Sequence, residues 1–237
     1  MAITTSAITT SWTPPDPLTG VSVSVIEELS HIQLDWEIST LADVDFSHYS
    51  VERRLLGEVS WTVLASLTSK TTLQYKDASA GQGIAYEYQV INYKAIPGDA
   101  PLASDDNIVV SAMLESDVWF VIGNENPEDE VNSFELPVSD ENHTRPIQQE
   151  VFEPIAHARK KVARGNVLGY EGSLTLRWTT QERTEAKTQL AFLAESAGPH
   201  FLKSPFGDVW RVEFDAPDYK YSGGGNLLVE IGWVEVA

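Results

Sequence analysis

From residue 21 to 113 apolar and polar side chains alternate with a period of two in seven short runs: VSVSVIEEL, HIQLDWEI, HYSVERRL, WTVLASL, TTLQYKD, AYEYQVINYKA and NIVVSAM. Turn-rich stretches separate them, so each run predicts a strand with one buried face, and seven such strands suit a two-sheet sandwich. Within the runs Leu34 and Trp36 fall on one face, Val51 and Arg53 share a face, and Tyr86, Tyr88 and Val90 share another. Trp36 reads as the core aromatic. Ahead of the first strand, residues 1–20 are rich in Ser, Thr and Pro, with WTPPDP at 12–17. That composition predicts an extended arm rather than a packed element.

Residues 114–237 pose a different fold problem. VWFVI and SFELPV flank a loop containing GNENPEDE (123–130), and strand patterns continue through QQEVFEPIAHARKKV and VLGYEGSLTLRW. The period then changes. Over about 180–197, TQERTEAKTQLAFLAESA places Ala186, Leu190 and Leu193 at helical spacing, extended by Ala194 and Ala197. Glu182 and Glu185 fall in the early turns and Gly198-Pro199 is a strong stop. HFLKS, the turn SPFGD, VWRVEF, a loop through YKYSGGGN and a closing LLVEIGWVEV complete the chain. A single helix among strands must cover one sheet face or one barrel opening.

The stretch from about 20 to 113 resembles the fibronectin type III domain. The resemblance makes Trp36 the tryptophan of the second strand that packs in the core. Tyr86 becomes a corner tyrosine whose hydroxyl bonds nearby backbone, with Val90 following inside the strand. No Arg-Gly-Asp triplet is present, so integrin binding has no support.

GYEGSLTLRW at 169–178, LAFLAE at 190–195, SPFGDVWRVEF at 204–214 and LLVEIGWVEV at 227–236 resemble the distal-tail and tail-tube family of long-tailed bacteriophages, especially minor tail proteins. That likeness implies a β-sandwich or split barrel flanked by one helix. Pro205 and Gly207 stand at a turn joining two strands, and residues 208–214 pair with 227–236. The expected fold is therefore mainly β: an arm (1–20), a fibronectin type III-like sandwich (21–113) and a tail-tube-like domain (114–237). Leu190 and Leu193 are its helix core residues. The implied function is assembly, in a ring of copies around the tail axis that joins the tube to tail-tip, baseplate and host-attachment parts. Such a protein has no catalytic residues and no cofactor, and resides in the virion tail after assembly in the host cytoplasm.

Charge narrows the alternatives. The chain carries 35 acids against 16 lysines and arginines, for a net charge of −19. An acidic chain repels phosphate on average, and the basic cluster Arg159, Lys160, Lys161 and Arg164 is too short to make a nucleic-acid footprint. Residues 115–141 hold nine acids and no Lys or Arg. Their opposite sign suggests that the basic cluster of one copy faces Glu125, Glu128, Asp129 and Glu130 of a neighbour. ENPEDE lacks the EF-hand order of calcium ligands. No cysteine is present, so neither a disulfide nor a thiolate metal site is available. No basic leader precedes an apolar run and no stretch approaches bilayer length, which predicts a soluble protein without membrane insertion or an export signal.

Enzyme readings have little to stand on. His31, His48, His143, His157 and His200 form no His-Glu-x-x-His or His-x-His pair, and no Gly-x-Ser-x-Gly elbow occurs. GQG at 81–83 reads as a turn and GGG at 223–225 as a flexible hairpin or interface loop. The rival function is a carbohydrate-binding or surface-adhesion module without catalysis. It would need a coplanar exposed aromatic pair beside polar groups, whereas Trp178, Trp210 and Trp233 alternate with apolar neighbours as core or interface residues do.

Overall fold

Alternating patterns become antiparallel sheets, and the ladders show where each run begins and ends. The computed structural model describes residues 12–125, 132–144, 147–152, 161–167, 170–179, 181–196, 199–221 and 226–236. Two compact units are formed. The first takes residues up to 25, 32–77 and 85–113; the second takes 26–31, 78–84 and 114 onward.

Eight strands fall within residues 22–113: β1 (Ser22–Ile26), β2 (His31–Asp35), β3 (Phe46–Leu55), β4 (Thr62–Leu67), β5 (Gln74–Asp77), β6 (Ala85–Lys94), β7 (Leu102–Ala103) and β8 (Val109–Met113). One sheet has the order β1-β2-β5. The other runs β4-β3-β6, with β7 and β8 both paired to β6. All seven expected runs form strands, and the two-residue β7 is additional. Their inward residues Ile32, Leu34, Trp36, Tyr49, Val51, Tyr88 and Val90 are buried, as is Tyr86. Trp36 meets Tyr49 edge-on at 5.7 Å between ring centres. The Tyr49 hydroxyl donates to the Lys70 carbonyl and accepts from the Ser39 N–H, each at 3.0 Å. Tyr49 on β3 thus pins loop backbone. On Tyr86 the guanidinium of Arg53 lies 4.5 Å from the ring centre.

Residues 12–20, within the expected arm, are mostly exposed. They form no helix or strand, yet Pro15 and Leu18 are buried. The Thr19 carbonyl accepts from the Glu37 N–H at 3.0 Å and the Asp16 carbonyl from Asn92 Nδ2 at 3.4 Å. Leu18 supplies apolar area and two carbonyls find donors, which anchors the stretch at those points. Residues 1–11 lie outside the described residues.

The second unit continues with β9 (Trp119–Ile122), β10 (Phe134–Leu136), β11 (Val138–Thr144), β12 (Ile147–Phe152), β13 (Lys161–Val167), β14 (Glu171–Trp178), α1 (Arg183–Glu195), β15 (His200–Lys203), β16 (Val209–Phe214), β17 (Asp218–Tyr221) and β18 (Leu227–Glu235). Its main sheet has the order β10-β9-β15-β16-β18-β14-β11, with β17 also on β18. Residues 212–214 pair with 233–235, as the resemblance implies for that stretch. The run 148–162 is not one strand: β12 and β13 pair with each other as a separate two-stranded sheet.

The two ends of the main path, β10 and β11, are separated in the chain by Pro137 alone. Pro137 has no N–H to give the ladder, although its carbonyl accepts from the Arg177 N–H at 2.9 Å. One nearly continuous stretch, 134–144, therefore serves first one edge of the sheet and then the other, with a break where it changes sides. Among the described residues the chain is mainly β and multi-sheet, with one flanking helix and no closed barrel.

The helix spans Arg183–Glu195 rather than 180–197. At its start the Glu182 carboxylate accepts from both the N–H and the hydroxyl of Thr179, each at 2.8 Å. Those two hydrogen bonds lower the Glu182 pKa. Residue 196 is already extended at the other end. Ala186, Leu190 and Leu193 are buried in a core with Leu174, Leu176, Trp178, Trp210, Val229 and Trp233. Ala194 is exposed, because the buried stripe advances three residues from 190 to 193 and leaves 194 outside. Phe192 packs against the core instead. Ala197 and Gly198 lie outside the described residues. β9 is buried on both faces: Trp119 and Val121 join the main core, while Phe120 and Ile122 pack with Ala78 and Phe201.

Candidate functional site

At the Pro137 break the sheet leaves a cleft of about 390 Å³. Asp117, Val118 and Trp119 line it from the start of β9, Glu135–Val138 from the switching stretch, and Glu182, Glu185 and Gln189 from the helix. Trp178 adds an aromatic wall. Backbone cannot close the gap because Pro137 interrupts the ladder, so side chains define the opening. Asp117, Glu135, Glu182 and Glu185 are exposed. None forms an ion pair with a lysine or arginine among the described residues. Gln189 is buried; its Nε2 donates to the Glu185 carboxylate at 3.2 Å, and its Oε1 has no hydrogen-bond partner. The surroundings favour a donor-rich cation.

A second polar cluster surrounds Glu125 and His200. The Asn124 N–H donates to His200 Nδ1 at 3.0 Å, which leaves the ring proton on Nε2, 2.9 Å from Ser196 Oγ. Asn124 and Glu125 both hold positive φ, at 50° and 56°. The neighbouring Glu125 carboxylate is paired with Arg211, whose guanidinium is raised chiefly by that hydrogen bond. Burial lowers the His200 imidazole despite the nearby Glu125 and Glu213 charges. This cluster fixes a turn.

In the first unit Asp77 is fully buried, and its Oδ2 accepts from Arg53 Nη1 at 2.7 Å and from the Tyr88 hydroxyl at 2.9 Å. Burial first, and the Asp77 charge second, push the Tyr75 phenol up to about 12 and the Tyr88 phenol higher still. The three partners sit on β3, β5 and β6, so the cluster ties the two sheets together.

Of the expected charge contact, Glu125 has an intrachain partner. Glu128, Asp129, Glu130, Arg159 and Lys160 lie outside the described residues. Lys161 and Arg164 sit on β13, opposite Phe152 and Gln149. Sequence reading missed the cleft itself. Its signal was present in Asp117 and Glu135 inside the acid-rich 115–141 run, with Glu182 and Glu185 on the helix, but nothing in spacing brings the two groups together.

Gly81 lies against the β15–β16 turn: a Cβ there would stand 2.4 Å from the Gly207 carbonyl oxygen. GQG is thus a close backbone approach, and residues 223–225 are outside the described residues. Among the described residues no group of three or more His, Asp or Glu side chains is gathered to hold a metal, and no helix is long and apolar enough to cross a membrane. Trp119 and Trp210 are stacked, with ring centres 6.1 Å apart and planes 12° from parallel, but both are buried. They form core rather than a sugar platform.

No family model and no curated protein matches the chain. Among solved structures, the twitchin kinase region from C. elegans aligns over 92% of this chain and 39% of its own, at 11% identity and a TM-score of 0.34. Titin kinase with its flanking domains aligns over 92% and 37%, at 12% identity and a TM-score of 0.29. The chain spans less than two-fifths of either. At these scores the likeness carries no argument about function.

Proposed function

We propose that this protein is a structural component of a long-tailed bacteriophage tail tip or baseplate, in which copies form a ring around the tail axis. A fibronectin type III-like module is joined there to a distal-tail-like domain. The single observation that carries the reading is the order of elements after residue 170: strand, helix, a Pro-x-Gly hairpin and a long closing strand, all in one sheet with the helix on its core face. Its sequence counterpart at 169–236 is the stretch that resembles minor tail proteins. Closed symmetry suits such a part, because each copy is held by two neighbours and weak pairwise contacts become a stable ring. The partners are other copies, the tail tube and tail-tip or baseplate proteins, with the virion tail as the location.

Electron microscopy of native particles, with mass measurement of the purified assembly, tests this. A closed ring coaxial with a tail tube is expected. A stable monomer absent from virions would overturn the reading and direct the search to glycan binding.

A further inference from the structure

The cleft at Pro137 holds more negative charge than the fold uses. We propose that it receives an arginine side chain from the 159–164 run of a second copy of this chain. This rests on the assembly reading, and it assigns that reading a contact site.

The chemistry selects the occupant in three steps. Asp117, Glu135, Glu182 and Glu185 supply negative charge and only acceptors, and no lysine or arginine among the described residues pairs with them. The buried Gln189 Oε1 is one further acceptor in the cleft wall without a donor. A buried acceptor left unpaired is destabilising, so a ligand whose N–H group reaches it relieves that deficit. The carboxylates are spread over β9, the 134–138 stretch and the helix, and no three of them gather as metal ligands. Spread acceptors suit a guanidinium, whose five donors point outward in a plane, better than a single point charge. Trp119 and Trp178 add apolar walls for the aliphatic stem.

The chain itself offers the matching segment. Against a net charge of −19, Arg159, Lys160, Lys161 and Arg164 put four cations within six residues. Of the acids at 125–130, Glu125 is already engaged by Arg211. Charge complementarity therefore selects the cleft as the receiving surface.

The test uses the full chain and a capped synthetic peptide of residues 157–165, His-Ala-Arg-Lys-Lys-Val-Ala-Arg-Gly, at low salt. Binding is read by tryptophan fluorescence and titration calorimetry, beside mass measurement of the chain over a range of concentrations. The expected result is saturable one-to-one binding. It should weaken at least about tenfold in Asp117→Asn/Glu135→Gln, in a peptide with both arginines replaced by glutamine, and in raised salt. The same double substitution should weaken self-association. Both substituted residues are exposed, and the altered peptide leaves the chain untouched, so misfolding cannot mimic the result. Absence of saturable binding, or binding that neither change weakens, overturns the cleft assignment; oligomers persisting in that case leave the ring reading standing. A chain that stays monomeric at every concentration overturns both.

Discussion

Arg53 and Asp77 form an ion pair at 2.7 Å between facing sheets of the first unit, with the Asp77 side chain wholly removed from solvent. Tyr88 donates to the same oxygen. Removing one member of such a pair leaves the other charge stranded in a low-dielectric interior, which costs far more than the pair contributes as a whole.

Arg53→Met is therefore expected to destabilise the protein by about 3–5 kcal/mol, while replacing both partners by apolar residues of similar volume should recover a large part of that loss. Urea unfolding of the two single variants and the double variant measures it. Equal, additive losses would show that the pair is not coupled.

His200 gives stability a dependence on pH. Burial lowers its pKa in the folded state, and Nδ1 must stay unprotonated to accept from the Asn124 N–H. As pH falls, the unfolded chain takes up its proton first, so this contribution is complete above the ordinary imidazole range and declines as pH drops below about 6.5. His200→Asn, whose amide oxygen can take the place of Nδ1, should flatten the stability profile between about pH 7.5 and 5.5. Unchanged slopes in denaturant titrations across that range would contradict it.

Gly81→Ala should be costly although the residue sits in a loop. The new Cβ would meet the Gly207 carbonyl oxygen at 2.4 Å and Ile84 Cδ1 at 3.0 Å. Backbone must shift, at an expected cost of about 1–3 kcal/mol. Gly83→Ala provides a contrast: open space surrounds it, but φ is +69°, so its penalty is torsional alone. Thermal unfolding of both variants distinguishes clash from torsion.

Leu190→Ala removes a fully buried side chain from the face of the helix that covers the sheet. The expected loss is about 2–5 kcal/mol. Ala194→Ser, on the outer face, should stay within about 0.5 kcal/mol of the parent. Similar losses at both positions would move the helix stripe.

Much of the fold was legible where one face of a strand is buried, because the period of two then appears directly in the residues. The 32–36 and 86–90 runs are of this kind. Legibility failed where tertiary contacts override local pattern. Leu18 follows a Pro-rich stretch that reads as unpacked, yet it is buried through contacts supplied by the strands downstream. Helical spacing admitted Ala194 beside Leu190, and only the inward position of Leu193 shows which way the stripe turns. The run 148–162 reads as continuous, and its division into β12 and β13 depends on their pairing with each other. The cleft was least visible, since Asp117 and Gln189 are brought to one place by a chain that changes edges at Pro137.

Segments 26–31 and 78–84 belong to the second unit. There Ser30 offers its carbonyl to the buried Lys203 ammonium, and Ala78 packs with Phe120, Ile122 and Phe201. During synthesis these early segments emerge long before residues 200–203 exist to meet them. The strands of the first unit are complete by residue 113, whereas the second unit must wait for its last partners and then reach back along the chain. Cutting between residues 113 and 114 would therefore give an N-terminal fragment with all its strands and a C-terminal fragment whose Lys203 has lost the Ser30 carbonyl.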